Sequence, residues 1–438
     1  MSLFAKSRFT VDILVGTRGE DLCALYQTMT GAFVLLLERD WSYVLSDPIA
    51  SADPTTIDML CEQGFLVRDG MDETIVFENW QQQSVHDFST LKSKVLVTRK
   101  CNNRCRYCVL HPEAKEMSPE TARAMDRFYI EVIKEKHPEK VEDDYLGGEP
   151  LLNSAIILES AARRFYYCLG TGIEYGFHIT TNGTIIRPSI ISDMKGVGLT
   201  GIRVSLAGPA SVHDHLRPSK NNGKTYELIM ENLGAISGLI PITIECQYDS
   251  GALDFLSIPE MLDDISERNI DIENITFTAI LPRRLENSYD HGLGDPRIFL
   301  HLMQGAQKRG YPQGGEAPCN TCMADFRARF VFDTDGSIIP CPSLQGGEMA
   351  YGDVTKGIDF VLEAQLLKRR LPARCLNECP ILPICMGGCR LQALVNGEGF
   401  NGIDCHYETH RLLLEQYIAG KASAVSFQKV DGGLKKTV

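Results

Sequence analysis

The chain has 438 residues, 44% of them hydrophobic and 23% charged, with a formal net charge of −13. That length allows two or three domains, each with its own core. The acidic balance argues against a nucleic-acid or anionic-membrane partner. No apolar run reaches membrane-spanning length, and the opening MSLFAKSRFTVD lacks the layout of a signal peptide, so the expectation is a cytoplasmic protein.

Residues 1–85 read as a small separate unit. LCALYQTMTGAFVLL opens it, and TTIDMLCEQGFLV carries apolar residues at helical spacing, with Gly64 as a helix stop. LVRDGMDETIVF reads as two short strands around a turn, which suggests a winged-helix-like module of helices and a small hairpin. The polar stretch ENWQQQSVHDFS reads as the linker.

From 92 to 300 strands and helices alternate. Predicted strands are KVLVT (94–98), EDDYL (142–146), YGFHIT (175–180), GIRVSL (201–206), ITIECQY (242–248) and ITFTA (275–279). A helix starts at SPETARAM, with Ser118 as N-cap and Pro119 at the first helical position, and another follows Asn153. Repeated strand–helix units imply an α/β domain with a parallel sheet, doubly wound or curled into a barrel. Cysteines take over in residues 310–420, and 421–438 read as a small, polar, flexible tail.

Fifteen cysteines is a high count for a chain with no secretion signal, and it points to metal or redox chemistry. Cys23, Cys61, Cys168 and Cys246 are scattered and read as small buried hydrophobes. The other eleven fall into two groups. The first, CNNRCRYC, places Cys101, Cys105 and Cys108 just after a strand, with no fourth cysteine nearby. Structural zinc wants four closed ligands. A four-iron cluster held by three thiolates leaves one iron open for a substrate or cofactor.

CNNRCRYC resembles the cluster motif of radical S-adenosylmethionine (SAM) enzymes, in which the cofactor's amino and carboxylate groups chelate the open iron. An electron from the cluster then cleaves the cofactor to a 5′-deoxyadenosyl radical that abstracts hydrogen from substrate. Support independent of the resemblance comes from the strand ends. LGGEP (146–150), TTNGT (180–184) and Ser205 follow strands two, three and four, on the rim where such folds build active sites. The resemblance implies cofactor contacts at Tyr107, Gly148 and Glu149. VSLAGPASVHDHLR is similar to a further motif of that family, which implies Ser205 and Arg217 on the carboxylate and ribose side. Ala207 departs from it, standing where an acidic residue is usual. The bland readings are a tight turn for Gly147 and Gly148, and a surface ion pair for Glu149 and Arg217.

The second group is CNTC (319–322), Cys341, CLNECPILPICMGGC (375–389) and Cys405, enough for two four-ligand sites. Zinc ribbons are one reading. The pattern, including Gly336 before Cys341, is similar to the SPASM extension, which carries two auxiliary four-iron clusters, for three [4Fe-4S] clusters in all. The resemblance assigns Cys319, Cys322, Cys341 and Cys389 to an inner cluster and Cys375, Cys379, Cys385 and Cys405 to an outer one. The gap from Cys375 to Cys379 is one residue longer than usual.

SPASM enzymes mostly modify peptides or proteins, so the resemblance implies a partial (β/α)6 TIM-like barrel that oxidises a ribosomally made precursor peptide. The bond formed would be a thioether, carbon–carbon or carbon–oxygen crosslink. The N-terminal module would hold the peptide's leader, and a flavodoxin or ferredoxin would supply electrons. Pro342 stands where sulfatase maturases carry an aspartate base, which argues against formylglycine formation. Residues 1–80 carry thirteen acidic and five basic side chains, the wrong sign for a DNA-binding wing. The runner-up is another SPASM protein maturase, of the sulfatase-maturase type; a purely structural cap for the N-terminal module and an electron-transfer iron–sulfur protein are the other readings. No catalytic base is assigned; His178, His213, Asp214 and Tyr248 lie near strand ends.

Overall fold

The structure, a computed structural model, describes residues 4–17, 20–46, 54–108, 113–249, 251–282, 289–292, 294–311, 321–344, 349–424, 427–430 and 433–436. It begins with strands β1 (Phe4–Lys6), β2 (Thr10–Thr17), β3 (Glu20–Gln27) and β4 (Phe33–Leu37). Helices α1 (Glu38–Ser46) and α2 (Pro54–Glu62), strand β5 (Leu66–Arg68) and helix α3 (Glu73–Val85) follow. Strands β2, β3 and β4 form an antiparallel sheet in that order, and β1 pairs with β5.

Two local readings are corrected here. LCALYQ and FVLLL, in the run that opens a module read as helices and a small hairpin, are adjacent strands. Both faces of β3 are covered, Cys23 and Leu25 by α1 and α2 and Ala24 and Tyr26 by apolar residues of the C-terminal region, so no alternation shows. The segment read as a second short strand and a linker is helix α3. Its N-cap Asp72 accepts from Thr74 N at 2.9 Å, and Phe77 and Trp80 pack against Phe9, Cys375, Leu382 and Met386. Gly64 follows α2 at φ +80°, a helix stop as read.

The centre is built from β6 (Thr90–Thr98), α4 (Pro119–Lys136), β7 (Lys140–Gly147), α5 (Ser154–Thr171), β8 (Glu174–Thr181) and α6 (Pro188–Lys195). It continues through β9 (Leu199–Leu206), α7 (Ala210–Leu216), α8 (Tyr226–Ile236), β10 (Ile242–Asp249), α9 (Ile258–Glu267) and β11 (Asn274–Pro282). Strands β6 to β11 are all parallel and lie in sequence order. Right-handed crossovers between sequential neighbours put every helix on one face, so the arrangement is barrel-like rather than doubly wound. It does not close: β12 (Tyr289–Gly292) pairs antiparallel with β11 at one edge.

At the other edge, after α10 (Pro296–Lys308), strand β13 (Arg329–Phe332) pairs parallel with β6. Strands β14 (Ser337–Ile338), β15 (Gly352–Asp353) and β16 (Gly357–Ile358) carry the sheet on. Helices α11 (Phe360–Leu367), α12 (Ala373–Glu378), α13 (Leu382–Cys385), α14 (Arg390–Val395) and α15 (Tyr407–Ala424) finish the C-terminal region. The stretch expected as a flexible tail contributes the end of α15 and an antiparallel pair, β17 (Phe427–Val430) and β18 (Gly433–Lys436).

The helix-packed face of the sheet is apolar, with Val95, Tyr145, Ile179, Val204 and Cys246 in one continuous core. Strand alternation gives the opposite face to Lys92, Glu142, Asp144, His178, Arg203, Glu245 and Gln247. Lys92 and Glu142 pair there at 2.7 Å, and Thr180 Oγ1 donates to Asp144 at 3.1 Å. Under the apolar face Arg164, fully buried, ties α5 to Asp126 of α4 at 3.0 Å and Asp143 of β7 at 2.8 Å.

Candidate functional site

The loop from Cys101 to Cys108 leaves β6 at its C-terminal end, and three other chain segments are hydrogen-bonded to it or to the β6 end. From the segment after β7, Gly148 N donates to Thr98 O and Glu149 N to Lys100 O, both at 2.8 Å. A Cβ on Gly147 would lie 2.1 Å from Thr98 O, and one on Gly148 2.2 Å from Lys100 O. These glycines therefore serve close backbone approach rather than a turn alone. After β8, Asn182 Nδ2 donates to Asn102 Oδ1 at 2.8 Å and lies 3.8 Å from Cys101 Sγ, while Asn102 Nδ2 donates to Thr184 Oγ1 at 2.7 Å. From the segment after α7, Pro218 O accepts from Arg104 N at 2.8 Å and Leu216 O from Arg106 N at 2.9 Å, which brings Arg217 against the loop.

Glu149 and Arg217 are both buried, and neither is the other's hydrogen-bond partner, so the surface ion pair is excluded. Glu149 accepts from Leu151 N at 3.0 Å, Thr181 Oγ1 at 2.8 Å and Asn182 N at 2.8 Å, tying the ends of β7 and β8 together. Burial pushes its carboxyl up, and those donors pull it back. Arg217 Nη1 donates to Tyr107 Oη at 2.6 Å and Gln247 Oε1 at 3.3 Å, and Tyr107 Oη donates to Gln247 Oε1 at 3.1 Å. Its Nε is buried without a protein partner. A buried guanidinium with a spare donor and only neutral neighbours in hydrogen-bond contact suits an anionic group such as the cofactor's carboxylate.

Ser205 is buried on β9 beside Glu245 of β10. Ala207 is buried, and its N donates to His213 Nδ1 at 3.3 Å, which places the imidazole proton on Nε2. Gln247 escaped the sequence reading. Its signal was a polar residue on the face of β10 opposite Ile244 and Cys246, visible only once the strand's facing is known. Asn102 and Asn182 lay inside motifs already noted, but nothing in the sequence says that they meet.

Burial pushes the Cys101 thiol up to about 11, and the fields of Cys105 and Cys108 add to it. In the C-terminal region the same reasoning separates two further sets. Burial lifts Cys341 to about 11, with added fields from Cys322 and Cys389. It lifts Cys385 to about 12, with added fields from Cys379 and Cys405. Cys375, Cys379, Cys385 and Cys405 line one cavity with otherwise apolar walls near them, Ile381 and Leu382. Cys319 lies outside the described residues. Among the described residues no three His, Cys, Asp or Glu groups close around a single ion.

Buried arginines hold these pieces in place. Arg99 pairs with Asp333 of the turn before Gly336, linking the first cysteine loop to the start of the C-terminal region. Arg390 donates to Asp325 at 2.9 Å through Nε. Arg369 donates to the carbonyls of Met386, Gly387, Gly388 and Gly402, shaping the loop between Cys385 and Cys389.

Of the groups considered as bases, Asp214 caps α8, accepting from Thr225 N at 2.8 Å and Tyr226 N at 3.0 Å. Tyr248 and Cys246 face the helix-side core, and burial pushes the Cys246 thiol up to about 12. His178 alone of these stands on the polar face, its imidazole pushed down by burial.

Residues 95–246, which run from β6 to β10, match the family model of the radical SAM superfamily. Among curated relatives, the radical SAM cyclopropyl synthase TigE of Paramaledivibacter caminithermalis is 25% identical over 193 residues, 39% of this chain. The chain spans 40% of that relative's length. Among solved structures, anSMEcpe with bound AdoMet aligns with a TM-score of 0.60 at 17% identity, over 76% of this chain and 99% of that one. SuiB of Streptococcus suis, bound to its precursor peptide SuiA, aligns with a TM-score of 0.53 at 16% identity, over 92% and 99%. These likenesses establish the fold.

Proposed function

We propose that this chain is a radical SAM enzyme that oxidatively modifies a ribosomally made precursor peptide, installing a thioether, carbon–carbon or carbon–oxygen crosslink. The observation that carries it is the meeting of three other chain segments with the β6 end and its three-thiol loop, beside a buried and incompletely paired arginine. A four-iron cluster on Cys101, Cys105 and Cys108, with S-adenosylmethionine on its open iron, would supply one-electron chemistry that abstracts hydrogen from the peptide. Arg217 offers positive charge to the cofactor's carboxylate. Tyr107 borders the adenine, and Ser205 lies on the ribose side. The backbone of Gly148 and Glu149 meets the amino group, because the Glu149 carboxylate is already committed to three donors.

The C-terminal region, read as a SPASM domain, would hold two auxiliary clusters. Cys319, Cys322, Cys341 and Cys389 would bind the inner one, and Cys375, Cys379, Cys385 and Cys405 the outer. With four thiolates each they would have no open iron and would accept electrons from the oxidised peptide, while an external flavodoxin or ferredoxin would supply the electron for cofactor cleavage. Residues 1–85, winged-helix-like in role, bind the precursor's leader by strand addition at the free edge of β4. Among the described residues β4 pairs with β3 alone, which leaves its outer edge unpaired, and α15 packs on the face of the sheet, against β2, β3 and the β4 residues Phe33 and Leu35. The SuiB fold, solved with a precursor peptide bound, extends over this module as well as the barrel.

The decisive experiment is coexpression with each short reading frame beside the gene, followed by mass spectrometry of the peptide products. Loss of hydrogens from one peptide, dependent on Cys105, supports the proposal. Cofactor cleavage with no peptide modified in any pairing would overturn the peptide assignment.

A further inference from the structure

Helix α15 carries a histidine that no role above uses. His410 is 2% exposed, and neither of its ring nitrogens has a hydrogen-bond partner in the protein. It lines the same cavity as Cys375, Cys379, Cys385 and Cys405. A neutral imidazole carries one N–H donor and one acceptor nitrogen, and burying both unmet is costly unless something in the site meets them. Its neighbour His406 is already engaged, with Nε2 3.0 Å from Asp404. Ile381, Leu382 and Ile403 offer no acceptor, the Gly387 carbonyl already accepts from Arg369, and Tyr407 is the one further polar side chain of the wall. The four sulfurs make up most of what the imidazole can face.

We infer that His410 donates an N–H···S hydrogen bond to the four-cysteine cluster and so raises that cluster's reduction potential. This rests on the proposed outer cluster. Reduction adds negative charge to the cluster, and a donor aimed at its sulfur stabilises the more negative state. With four thiolates for four irons, the histidine acts as a positioning and tuning group rather than a ligand.

The test uses the full chain, purified anaerobically with its clusters, and two variants. His410→Phe keeps the ring's bulk and loses the donor; His410→Gln keeps an N–H. The paramagnetic signal that disappears with Cys375→Ala and Cys379→Ala identifies the cluster. In a potentiometric titration of that signal, His410→Phe should lower the reduced-to-oxidised ratio at fixed potential about ten-fold, about 59 mV for one electron. His410→Gln should recover part of the shift. In protein labelled with 15N-histidine, pulsed EPR of the reduced cluster should detect a nitrogen coupling.

Unchanged potential in both variants, with iron retained, overturns the inference. If His410→Phe lost its iron, the wild-type nitrogen coupling would decide alone, and its absence would overturn the inference. Should the cysteine variants lose neither iron nor signal, it is the outer cluster itself that fails.

Discussion

Two buried arginines mark the difference between the barrel end and the C-terminal region. Every guanidinium nitrogen of Arg369 donates to a main-chain carbonyl of the loop between Cys385 and Cys389 or to Gly402. Arg217, equally enclosed, has two neutral side-chain partners on one nitrogen and a buried Nε with none. A saturated guanidinium is finished by the fold and holds backbone in shape. An unsaturated one keeps its charge available, and folding alone does not repay its desolvation. The thiols around them divide the same way, three beside the open cation and four enclosing an apolar cavity.

The contrast predicts opposite consequences of removing thiolates, and these are the largest effects. Changing Cys101, Cys105 and Cys108 together to Ala should remove one of the three proposed clusters, about four of about twelve irons, and all production of 5′-deoxyadenosine. Cys379→Ala should leave 5′-deoxyadenosine formation intact while losing modified peptide. If Cys379→Ala is folded and makes normal product, the closed site carries no electrons and the contrast collapses.

Next are the arginines themselves. Arg369→Met leaves several buried carbonyls without donors and should cost about 3 kcal/mol or more in denaturant unfolding, with loss of auxiliary iron. Arg217→Met should cost less stability, since it removes a guanidinium that makes hydrogen bonds through one nitrogen only and whose carboxylate neighbour, Glu149, keeps its three donors. It should weaken binding of S-adenosylmethionine about 100-fold, the worth of a charge-assisted bidentate contact. Arg217→Lys should not restore it, because a point charge cannot replace the planar fork. Equal stability losses for the two Met variants would break the comparison.

The module at the N-terminus packs on the four-cysteine region. Phe77 and Phe9 bury Cys375 and Leu382, and Thr28 Oγ1 donates to Pro380 O at 2.7 Å. Truncation would therefore strip the four-cysteine region, so the leader hypothesis needs a gentler probe. Hydrogen exchange of the full chain with precursor peptide should show protection confined to amides of β4 on the module, with cofactor cleavage unchanged. Protection elsewhere, or none at a peptide concentration that supports turnover, would leave residues 1–85 as a structural cap.

The same packing explains what could be read from the sequence. The six parallel strands were legible because β-branched runs such as KVLVT and ITIECQY stood between helices with clear caps, and the cysteine loop because its spacing is chemical. The N-terminal strands were not, since LCALYQ is covered on both sides and shows no period. Helix α3 hid behind glutamines, its apolar residues being few and its partners far away in sequence. Of the site, the motif residues were named, but the hydrogen-bonding of Arg217 to Gln247 joins residues 30 apart in the chain. Strand facing had to be known first. His410 was invisible for a related reason: a histidine on a helix signals nothing until its surroundings are seen.

The smallest effect is the sharpest test of why Arg217 is left unneutralised. Gln247 Oε1 accepts from both Tyr107 and Arg217 and is itself buried, so it orients the cation without cancelling its charge. Gln247→Leu should lose one acceptor for two donors and weaken cofactor binding about five-fold, near 1 kcal/mol. Gln247→Glu keeps the shape and the acceptor and adds a counter-charge. If Gln247 were merely a structural partner, the glutamate would be benign or stabilising, because it completes a buried ion pair. If Arg217 is held for the cofactor's carboxylate, the glutamate competes with that anion and should weaken binding at least as much as leucine does, while raising the protein's own stability. Isothermal titration with S-adenosylmethionine beside thermal unfolding separates the two: tighter folding with weaker binding is the expected pair, and tighter folding with unchanged binding would sink the assignment of Arg217.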